Sequence, residues 1–389
     1  MEKANCDKIK NIAVLGSTGS IGRQTLDVCA EYPDRLRPSV LVAGRKVDDL
    51  ARQALQWRPE TVVIADSTME QRLAAMLSGT GIEVRSGDEA VREAMTLPCV
   101  DTVVTATVGY SGLAPTLAAI DAGKDVALAN KETLVVAGEL VNSRLAVSRS
   151  QVIPVDSEHS AIYQCLVGED PVTVNKLIIT ASGGPFRTWS REKIEQATVA
   201  DALHHPNWSM GAKITIDSAS MMNKGFEVIE AKWLFDLTPE QIEVVVHPQS
   251  VVHSAVQFAD GAVKAQLGVP DMRVPIQLAF SYPERLHSSF DRLDFCQASP
   301  LTFERPDTER FRNLALAYEA MRRGGNMPCI LNAANEVVNR AFLEDRVGFL
   351  QMSDLMEQAM SRMSYIAEPT LEDYLQTDAE TRALVSGWL

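Results

Sequence analysis

Three carboxylates, Asp156, Glu158 and Glu227, have the clearest potential for chemistry. The first two follow the apolar run 152–155, and in an extended segment side chains two positions apart point to the same side. If Glu227 converged with them, each pair would repel by about 3 kcal/mol at ~5 Å and an effective dielectric constant of ~20. A divalent cation would remove that repulsion, and an all-oxygen ligand set favours Mg²⁺ or Mn²⁺ over Zn²⁺. Spacing alone leaves three separate, solvated acids as the alternative.

A second group of side chains lies near Glu227 in the sequence and is suited to binding a phosphate. Asn223 lies four residues before Glu227, so the two share one face of a predicted helix. Lys224 supplies a point charge, and the hydroxyl of Ser218 supplies another donor. The pattern predicts a strand over 213–217, then a polar loop, then this helix.

Glycines near the N-terminus form a pattern typical of diphosphate binding. The sequence NIAVLGSTGSIG (11–22) carries Gly16, Gly19 and Gly22 between an apolar run and a predicted helix. Glycine permits a tight turn, so that backbone N–H groups and the positive end of the helix face the diphosphate of a dinucleotide. The spacing G-x-x-G-x-x-G differs from the commoner G-x-G-x-x-G, but its place after a first strand favours the same function. A purely structural turn is the alternative.

The end of the second apolar run indicates which dinucleotide binds. In NAD sites an acidic residue at this position binds the ribose 2′-hydroxyl. Here Arg45 and Lys46 follow Gly44, and two cations suit a 2′-phosphate. The sequence therefore favours NADP(H), with solvated surface cations as the alternative.

A lid is the hypothesis for the segment near 203–212. This segment contains Trp208 among polar residues and has Gly211 near its end. An earlier Gly183-Gly184 pair follows the end of another predicted strand. Glycines on both sides suit a loop that closes over substrate and excludes water. Packing of Trp208 against the body of the protein is the alternative.

The spacing of apolar residues predicts the elements that position these groups. Continuous apolar runs alternate with helical patterns in the first part of the chain, which predicts a parallel, doubly wound sheet in an α/β domain. Closely spaced strands then predict a mostly antiparallel α+β domain, and apolar stripes at helical spacing predict a helical domain at the end. The predicted strands of the first domain are 12–15, 40–43, 62–65, 103–106, 126–129 and 152–155. The predicted domains are a Rossmann-like dinucleotide domain over 1–155, a central catalytic domain over 156–285, a linker over 286–310 and a helical domain over 311–389.

Composition argues against several classes of protein. The 389 residues carry 37 basic and 51 acidic side chains, a formal net charge of −14, which disfavours a general nucleic-acid binder. No apolar stretch approaches the ~18 residues that a transmembrane helix needs, and we expect no signal peptide. The six cysteines are scattered without a C-x-x-C pair, as expected for reduced thiols in a cytoplasmic protein.

Nine motifs in order resemble those of the 1-deoxy-D-xylulose 5-phosphate reductoisomerase family and together span essentially the whole chain. They are GSTGSIG (16–22), LANKE (128–132), PVDSEH (154–159), SGGPFR (182–187), HPNWSMG (205–211), DSASMMNKGFE (217–227), HPQSVVHS (247–254), QLGVPDMR (266–273) and LNAANE (331–336). The resemblance implies an NADPH- and metal-dependent oxidoreductase that rearranges 1-deoxy-D-xylulose 5-phosphate. In the implied reaction, that enzyme then reduces the product to 2-C-methyl-D-erythritol 4-phosphate, an isoprenoid precursor. It also implies a V-shaped homodimer whose central domain carries the interface.

The resemblance also implies roles for individual residues. The cofactor residues are Thr18, Gly19, Ser20 and Ile21 at the diphosphate, Gly44, Arg45 and Lys46 at the 2′-phosphate, and Asn130, Glu132 and Gly211 elsewhere. The metal ligands are Asp156, Glu158 and Glu227. The substrate residues are Lys131, Ser157, Glu158, Ser182, His205, Ser218, Asn223, Lys224 and Glu227, with Trp208 and Met210 in the lid. The catalytic residues are Lys131, Asp156, Glu158, His205 and Glu227.

Several alternatives remain at this point. Arg45-Lys46 stands where many family members carry a basic residue followed by Asn, which keeps the charge and loses an amide. Glu230, three residues after Glu227, is the alternative metal ligand. An NADP-dependent dehydrogenase of another small phosphorylated substrate would explain the glycine pattern without a rearrangement. A catalytically inactive NADPH-sensing regulator is the third hypothesis.

Overall fold

A computed structural model describes residues 9–204, 210–297 and 300–389. The strands are β1 Lys10–Leu15, β2 Leu36–Ala43, β3 Thr61–Ile64, β4 Glu83–Ser86, β5 Thr102–Thr105, β6 Asp125–Leu128, β7 Val152–Pro154, β8 Val174–Ala181, β9 Ile242–Val246, β10 Val252–Phe258 and β11 Val263–Leu267. The α-helices are α1 Ser20–Glu31, α2 Val47–Trp57, α3 Glu70–Met76, α4 Gly87–Ala94, α5 Leu113–Asp121, α6 Glu132–Leu145, α7 Ser157–Leu166, α8 Arg191–Glu195, α9 Val199–Ala202, α10 Ala212–Ala219, α11 Met222–Phe235, α12 Arg273–Ser281, α13 Arg312–Arg323, α14 Met327–Leu343, α15 Phe349–Arg362 and α16 Leu371–Ser386. No helix in these ranges is long and apolar enough to cross a bilayer.

The chain forms two units, and both are discontinuous in sequence. The first unit contains the chain up to Thr133 together with Val141–Asp156 and Asp271–Phe290. The second unit contains Leu134–Leu140, Ser157–Pro270 and Asp291–Leu389. Part of Asp271–Phe290 falls within the central domain predicted from sequence.

The first unit is built on a parallel sheet, which in the described ranges has seven strands in the order β4-β3-β2-β1-β5-β6-β7. The six predicted strands are present, and the α/β prediction is confirmed. Strand β4 was not predicted, because its sequence EVRS has one apolar residue and lies at the sheet edge with no residue buried. The strand order reverses between β1 and β5, and such folds bind ligands beside that switch point, outside the carboxyl ends of the strands.

The second unit contains a four-stranded sheet in the described ranges, in the order β11-β10-β8-β9. Strand β10 is antiparallel to β8 and β11, whereas β8 and β9 are parallel, so the mostly antiparallel prediction is confirmed. Helix α7 packs on β10 and β11, and α11 packs on β9 and α13. Helices α13 to α16 confirm the helical C-terminal region, although α16 was not predicted. Its buried face includes Thr377, Asp378 and Thr381, so it lacks an apolar stripe.

Two local predictions were wrong. Residues 213–217, predicted as a strand, lie in helix α10. The alternating sequence KITID suits a strand, but the helix buries Ile216 and Ala219 and pairs Lys213 with Asp217 at 3.1 Å, so packing overrides the β-branched preference. Glu158 lies in the first turn of α7, so the argument from an extended segment does not apply to it.

Candidate functional site

The glycine loop after β1 is closely packed at the switch point. Gly16 has a φ of +93°, and a Cβ there would lie 2.7 Å from the carbonyl oxygen of Ala106, which follows β5. A Cβ on Gly22 would lie 2.3 Å from the carbonyl oxygen of Gly16. Gly19 caps α1 without a side-chain hydrogen bond, and the first turn has no acidic residue. The N–H groups at the start of this helix lack intrahelical partners and suit an anion.

We expect Gly22→Ala to weaken binding of NADPH, the predicted cofactor, by tenfold or more. The added methyl group must displace the backbone of Gly16 and Ser17, and overpacking of this kind costs about 1–3 kcal/mol. Fluorescence titration with NADPH measures the dissociation constant. Gly348→Ala is the control because a Cβ at Gly348 would meet nothing within 4 Å. Equal NADPH affinity in Gly22→Ala and wild type would contradict the assignment of this loop.

The three residues after β2 are exposed, as the predicted adenosine end of a dinucleotide site requires. Arg45 donates to Asp66 at 2.7 Å, and its side chain is 82% exposed. Hydrogen bonds from Thr68 and from Arg45 lower the pKa of Asp66 to about 2. The charged Asp66 therefore anchors Arg45 beside the end of β3. A guanidinium has five N–H donors, so this ion pair leaves donors for a phosphate.

Side chains after β6 connect the ends of neighbouring strands. Asn130 donates to two carbonyl groups that follow β5, at 2.9 and 3.0 Å, and to Glu132 at 3.0 Å. Lys131 Nζ lies 2.6 Å from Asp156 Oδ2, and these side chains are 9% and 12% exposed. These four predicted site residues therefore lie at the same carboxyl edge of the sheet as the glycine loop.

In the second unit, Lys224 lies between two of the predicted metal ligands. Its Nζ is 2.7 Å from Glu158 Oε1 and also donates to Glu227 Oε2. Burial alone would lower the pKa of Lys224, but the charges of Glu158 and Glu227 outweigh it and raise the pKa above its ordinary value. The ammonium therefore stays charged and is shared between the two carboxylates, so that its single charge offsets one of their two negative charges.

Asn223 and Ser157 belong to the same cluster. Asn223 Nδ2 donates to Glu227 Oε1 at 2.6 Å, which confirms that these residues share a helix face. The hydroxyl of Ser157 donates to Glu158 Oε2 at 2.6 Å. Met221 has a φ of +62° and redirects the chain from α10 into α11. The structure thus brings together five predicted residues: Ser157, Glu158, Asn223, Lys224 and Glu227.

Two further predicted substrate residues lie on neighbouring elements. Ser182 follows β8, and its hydroxyl accepts from the N–H of Gly184 at 3.2 Å. Ser218 lies in α10, where a Cβ on Gly184 would approach its carbonyl oxygen to 2.8 Å. The loop that carries Ser182 and the helix that carries Ser218 are therefore in close contact.

The predicted lid is described only at its ends. His205 and Trp208 lie outside the described residues. Met210 is partly buried, and the exposed Gly211 caps α10 in an extended conformation.

Glu230, the alternative metal ligand, has a different partner from Glu227. Its Oε2 lies 3.2 Å from Nδ1 of His159, and both side chains are fully buried. Nε2 of His159 lies 2.9 Å from the backbone oxygen of Glu227. His159 therefore supports the backbone of α11 from α7. In the sequence, the position of His159 next to Glu158 was the available indication of a role near the site. The partner of His159, Glu230, lies on another helix.

His253, on β10, is a residue that the sequence analysis did not assign to the site. Its side chain is largely buried, and that burial lowers the pKa of His253, an effect that the charge of Glu158 partly opposes. His247 and Lys224 add a further lowering. The imidazole is therefore neutral near pH 7, close to the acidic cluster.

We expect His253→Gln to make thermal stability less sensitive to acid. The folded-state pKa lies below the unfolded value, so the unfolded chain takes up a proton first as the pH falls through about 6.5, and stability decreases. Melting temperatures between about pH 7 and pH 5 measure the slope. The exposed His287 is the control position, and His287→Gln should retain the wild-type slope. An unchanged slope in His253→Gln would contradict the argument.

Comparison with known proteins identifies the family. A 1-deoxy-D-xylulose 5-phosphate reductoisomerase family model matches residues 12–138. The model of that enzyme's C-terminal domain matches residues 152–235, and a second DXP reductoisomerase C-terminal domain matches residues 267–384. The chain belongs to the 1-deoxy-D-xylulose 5-phosphate reductoisomerase family. The resemblance inferred from the nine motifs is therefore confirmed.

Reductoisomerases of known sequence match nearly the full chain. The one from Bacteroides thetaiotaomicron is 60% identical and covers 99% of both chains. The one from Phocaeicola vulgatus is 62% identical and covers 96% of this chain and 97% of its own. Solved reductoisomerase structures share the fold. The Zymomonas mobilis enzyme in complex with NADPH has a TM-score of 0.92 and 42% identity over 98% of this chain and 99% of that one. A reductoisomerase in complex with NADPH, fosmidomycin and magnesium has a TM-score of 0.93 and 40% identity over 97% and 98%.

Proposed function

We propose that the chain rearranges 1-deoxy-D-xylulose 5-phosphate and reduces the product to 2-C-methyl-D-erythritol 4-phosphate with NADPH and a divalent metal. Membership of the reductoisomerase family supports this activity. The structural observation that carries it is the cluster at the start of α11. There Asn223 and Lys224, which we assign to the phosphate, and Glu227, which we assign to the metal, lie within about one helical turn. A dehydrogenase without a rearrangement needs no such acidic set, so we do not favour that alternative.

Asp156, Glu158 and Glu227 would bind the metal. The donor set fits a hard cation, and the ammonium of Lys224 already occupies a cation position between Glu158 and Glu227. When bound, Mg²⁺ or Mn²⁺ supplies Lewis-acid stabilisation of the negative charge that develops on substrate oxygens. Lys131 orients Asp156 through its 2.6 Å ion pair, and Asn223 orients Glu227.

The phosphate of the substrate would bind polar side chains of the second unit. Its proposed partners are Ser182, His205, Ser218, Asn223 and Lys224. Because the phosphate is remote from the reacting carbons, its binding energy would be used to close the segment near 203–212 over the substrate.

NADPH would bind the glycine loop with its diphosphate and the end of β2 with its 2′-phosphate. We expect Arg45→Ala to raise the KM for NADPH by about tenfold and to change the KM for NADH little, since a charge-assisted contact is lost. Steady-state assays with each cofactor measure the ratio of the KM for NADPH to the KM for NADH. Arg72→Ala is the control, because Arg72 is another exposed arginine paired with an acid in the first unit. An equal change for both cofactors would refute 2′-phosphate recognition by Arg45.

The activity is tested with purified protein, 1-deoxy-D-xylulose 5-phosphate, NADPH and Mg²⁺. The absorbance of reduced nicotinamide should fall, and a chelator should stop the reaction until Mg²⁺ is restored. Identification of the product by mass and NMR separates rearrangement from simple ketone reduction. Absence of chelator-sensitive oxidation would reject the proposal.

A homodimer through the sheet of the second unit is the proposed assembly. Strand β11 lies at the sheet edge in the described ranges, and Val263 on it is 54% exposed. An edge strand offers N–H and C=O groups to a second chain. Sedimentation velocity should show a dimer, and Ala265→Pro should shift it to monomer, since proline removes a donor from the edge or disrupts pairing.

A cytoplasmic location is proposed from the cysteines. The five described cysteines, Cys29, Cys99, Cys165, Cys296 and Cys329, are free thiols. Free thiols suit a reducing compartment. Fractionation of cells that express the protein tests this location.

A further inference from the structure

Helix α10, which carries Ser218, is held by a group of amides on α14. Asp217 Oδ1 accepts from Nδ2 of Asn335 at 2.8 Å and from Nδ2 of Asn339 at 2.9 Å. The other carboxylate oxygen lies 3.1 Å from Nζ of Lys213. Asp217, Asn335 and Asn339 are at most 2% exposed. A buried carboxylate is tolerated only when it is paired and hydrogen-bonded, so this arrangement restricts where α10 can lie.

One of these amides, that of Asn339, also holds the backbone at the start of α10. Nδ2 of Asn339 donates to the carbonyl oxygen of Lys213 at 3.0 Å. Contacts from α14 therefore reach both the first turn of α10 and Asp217, which immediately precedes Ser218. Helix α10 is positioned along its length and not only at one point.

The loop after β8, which contains Gly183 and Gly184, packs against the far end of α10. A Cβ on Gly184 would lie 2.8 Å from the carbonyl oxygen of Ser218 and 3.1 Å from Cα of Ala219. This loop carries Ser182, whose hydroxyl is fixed by the N–H of Gly184. The end of α10 is therefore placed between the α14 amides and the loop that carries the other serine.

We infer that Asn335 and Asn339 are positioning residues for the substrate phosphate. They act through Asp217, which sets the place of Ser218 relative to Ser182. This inference rests on the proposed function, because that function assigns the two serines to the phosphate. The amides themselves lie behind α10 and serve no step of the reaction.

The test compares Asn335→Ala with Asn326→Ala, a matched change at the residue that caps the start of the same helix, α14. Asn326 is 1% exposed against 2% for Asn335, and its Nδ2 donates to Ser364 and Thr377 at 3.0 and 3.1 Å, away from α10. We expect Asn335→Ala to raise the KM for the phosphosugar and the dissociation constant for inorganic phosphate by about tenfold each, the effect of one lost hydrogen bond to a charged group. The dissociation constant for NADPH should stay at the wild-type value, since the glycine loop belongs to the first unit.

Asn339→Ala provides a second variant if Asn335→Ala does not fold. Similar losses of melting temperature in Asn335→Ala and Asn326→Ala, with phosphate affinity unchanged in both, would overturn the inference. An unchanged phosphate affinity in a folded Asn339→Ala would do the same. The proposed function would be rejected by a different result, namely no turnover by the wild-type protein. In that case, calorimetric measurement of phosphate binding to wild type and variants still tests the inference directly.

Discussion

Glu158→Gln is expected to lower kcat/KM for 1-deoxy-D-xylulose 5-phosphate with Mg²⁺ by about a thousandfold or more. The change keeps the shape of the side chain but removes an anionic oxygen from the proposed metal site. Metal-based charge stabilisation contributes several kcal/mol to catalysis, and about 1.4 kcal/mol corresponds to tenfold in rate. Steady-state oxidation of NADPH measures the rate, and calorimetric titration with Mg²⁺ measures binding. Both should be impaired in the same variant.

Glu336→Gln is the matched control for that change. The side chain of Glu336 is 18% exposed against 19% for Glu158, and each accepts from one cation, Arg382 at 2.6 Å and Lys224 at 2.7 Å. The control should alter stability without altering kcat or Mg²⁺ affinity. Near-normal turnover and Mg²⁺ binding in Glu158→Gln would rule out a ligand role for this residue.

Lys224→Met should destabilise the metal-free protein by about 3 kcal/mol, because it leaves the buried Glu227 and the partly buried Glu158 next to each other without their cation. Added Mg²⁺ should raise the melting temperature of the variant more than that of wild type, since the ion replaces the missing charge. In the assay, kcat should fall and KM for the phosphosugar should rise together, because binding energy from the phosphate is lost in the transition state. Calorimetric scans with and without Mg²⁺, followed by kinetics, measure these effects.

Arg382→Met separates this outcome from the general loss of a cation that pairs with two acids; the side chain of Arg382 is 32% exposed. Arg382 bonds both Glu336 and Asp378, so the variant also leaves two acids without a counter-ion. It should lose melting temperature, and Mg²⁺ should not restore it. Equal recovery in both variants, or a change of KM alone in Lys224→Met, would contradict the role assigned to Lys224.

Much of the fold could be predicted because its signals are local. Continuous apolar runs such as Val40–Ala43 appear where strands are buried on both faces, and the glycine spacing from Gly16 to Gly22 follows from a turn that a Cβ would block. Asn223 and Glu227 were correctly placed on one helix face because four residues make about one turn.

Partners that are distant in sequence could not be predicted in this way. Nothing in the spacing pairs Glu230 with His159, or Asp217 with Asn335, because those contacts depend on how helices pack. The same packing explains why α10, whose sequence alternates like a strand, is a helix. Lys224 was predicted for phosphate, and the structure adds that its ammonium pairs with both acids beside it.

The return of Asp271–Phe290 to the first unit has a consequence for how the chain is made. Helix α12 packs on α1, its residues Ile276 and Phe280 join the core of the first unit, and Lys10 Nζ donates to the carbonyl oxygen of Phe280 at 2.6 Å. During synthesis the ribosome must therefore produce most of the second unit before the nucleotide-binding unit can be completed. A fragment that ends at Asp156 would expose the apolar surface that α12 covers and would be prone to aggregate.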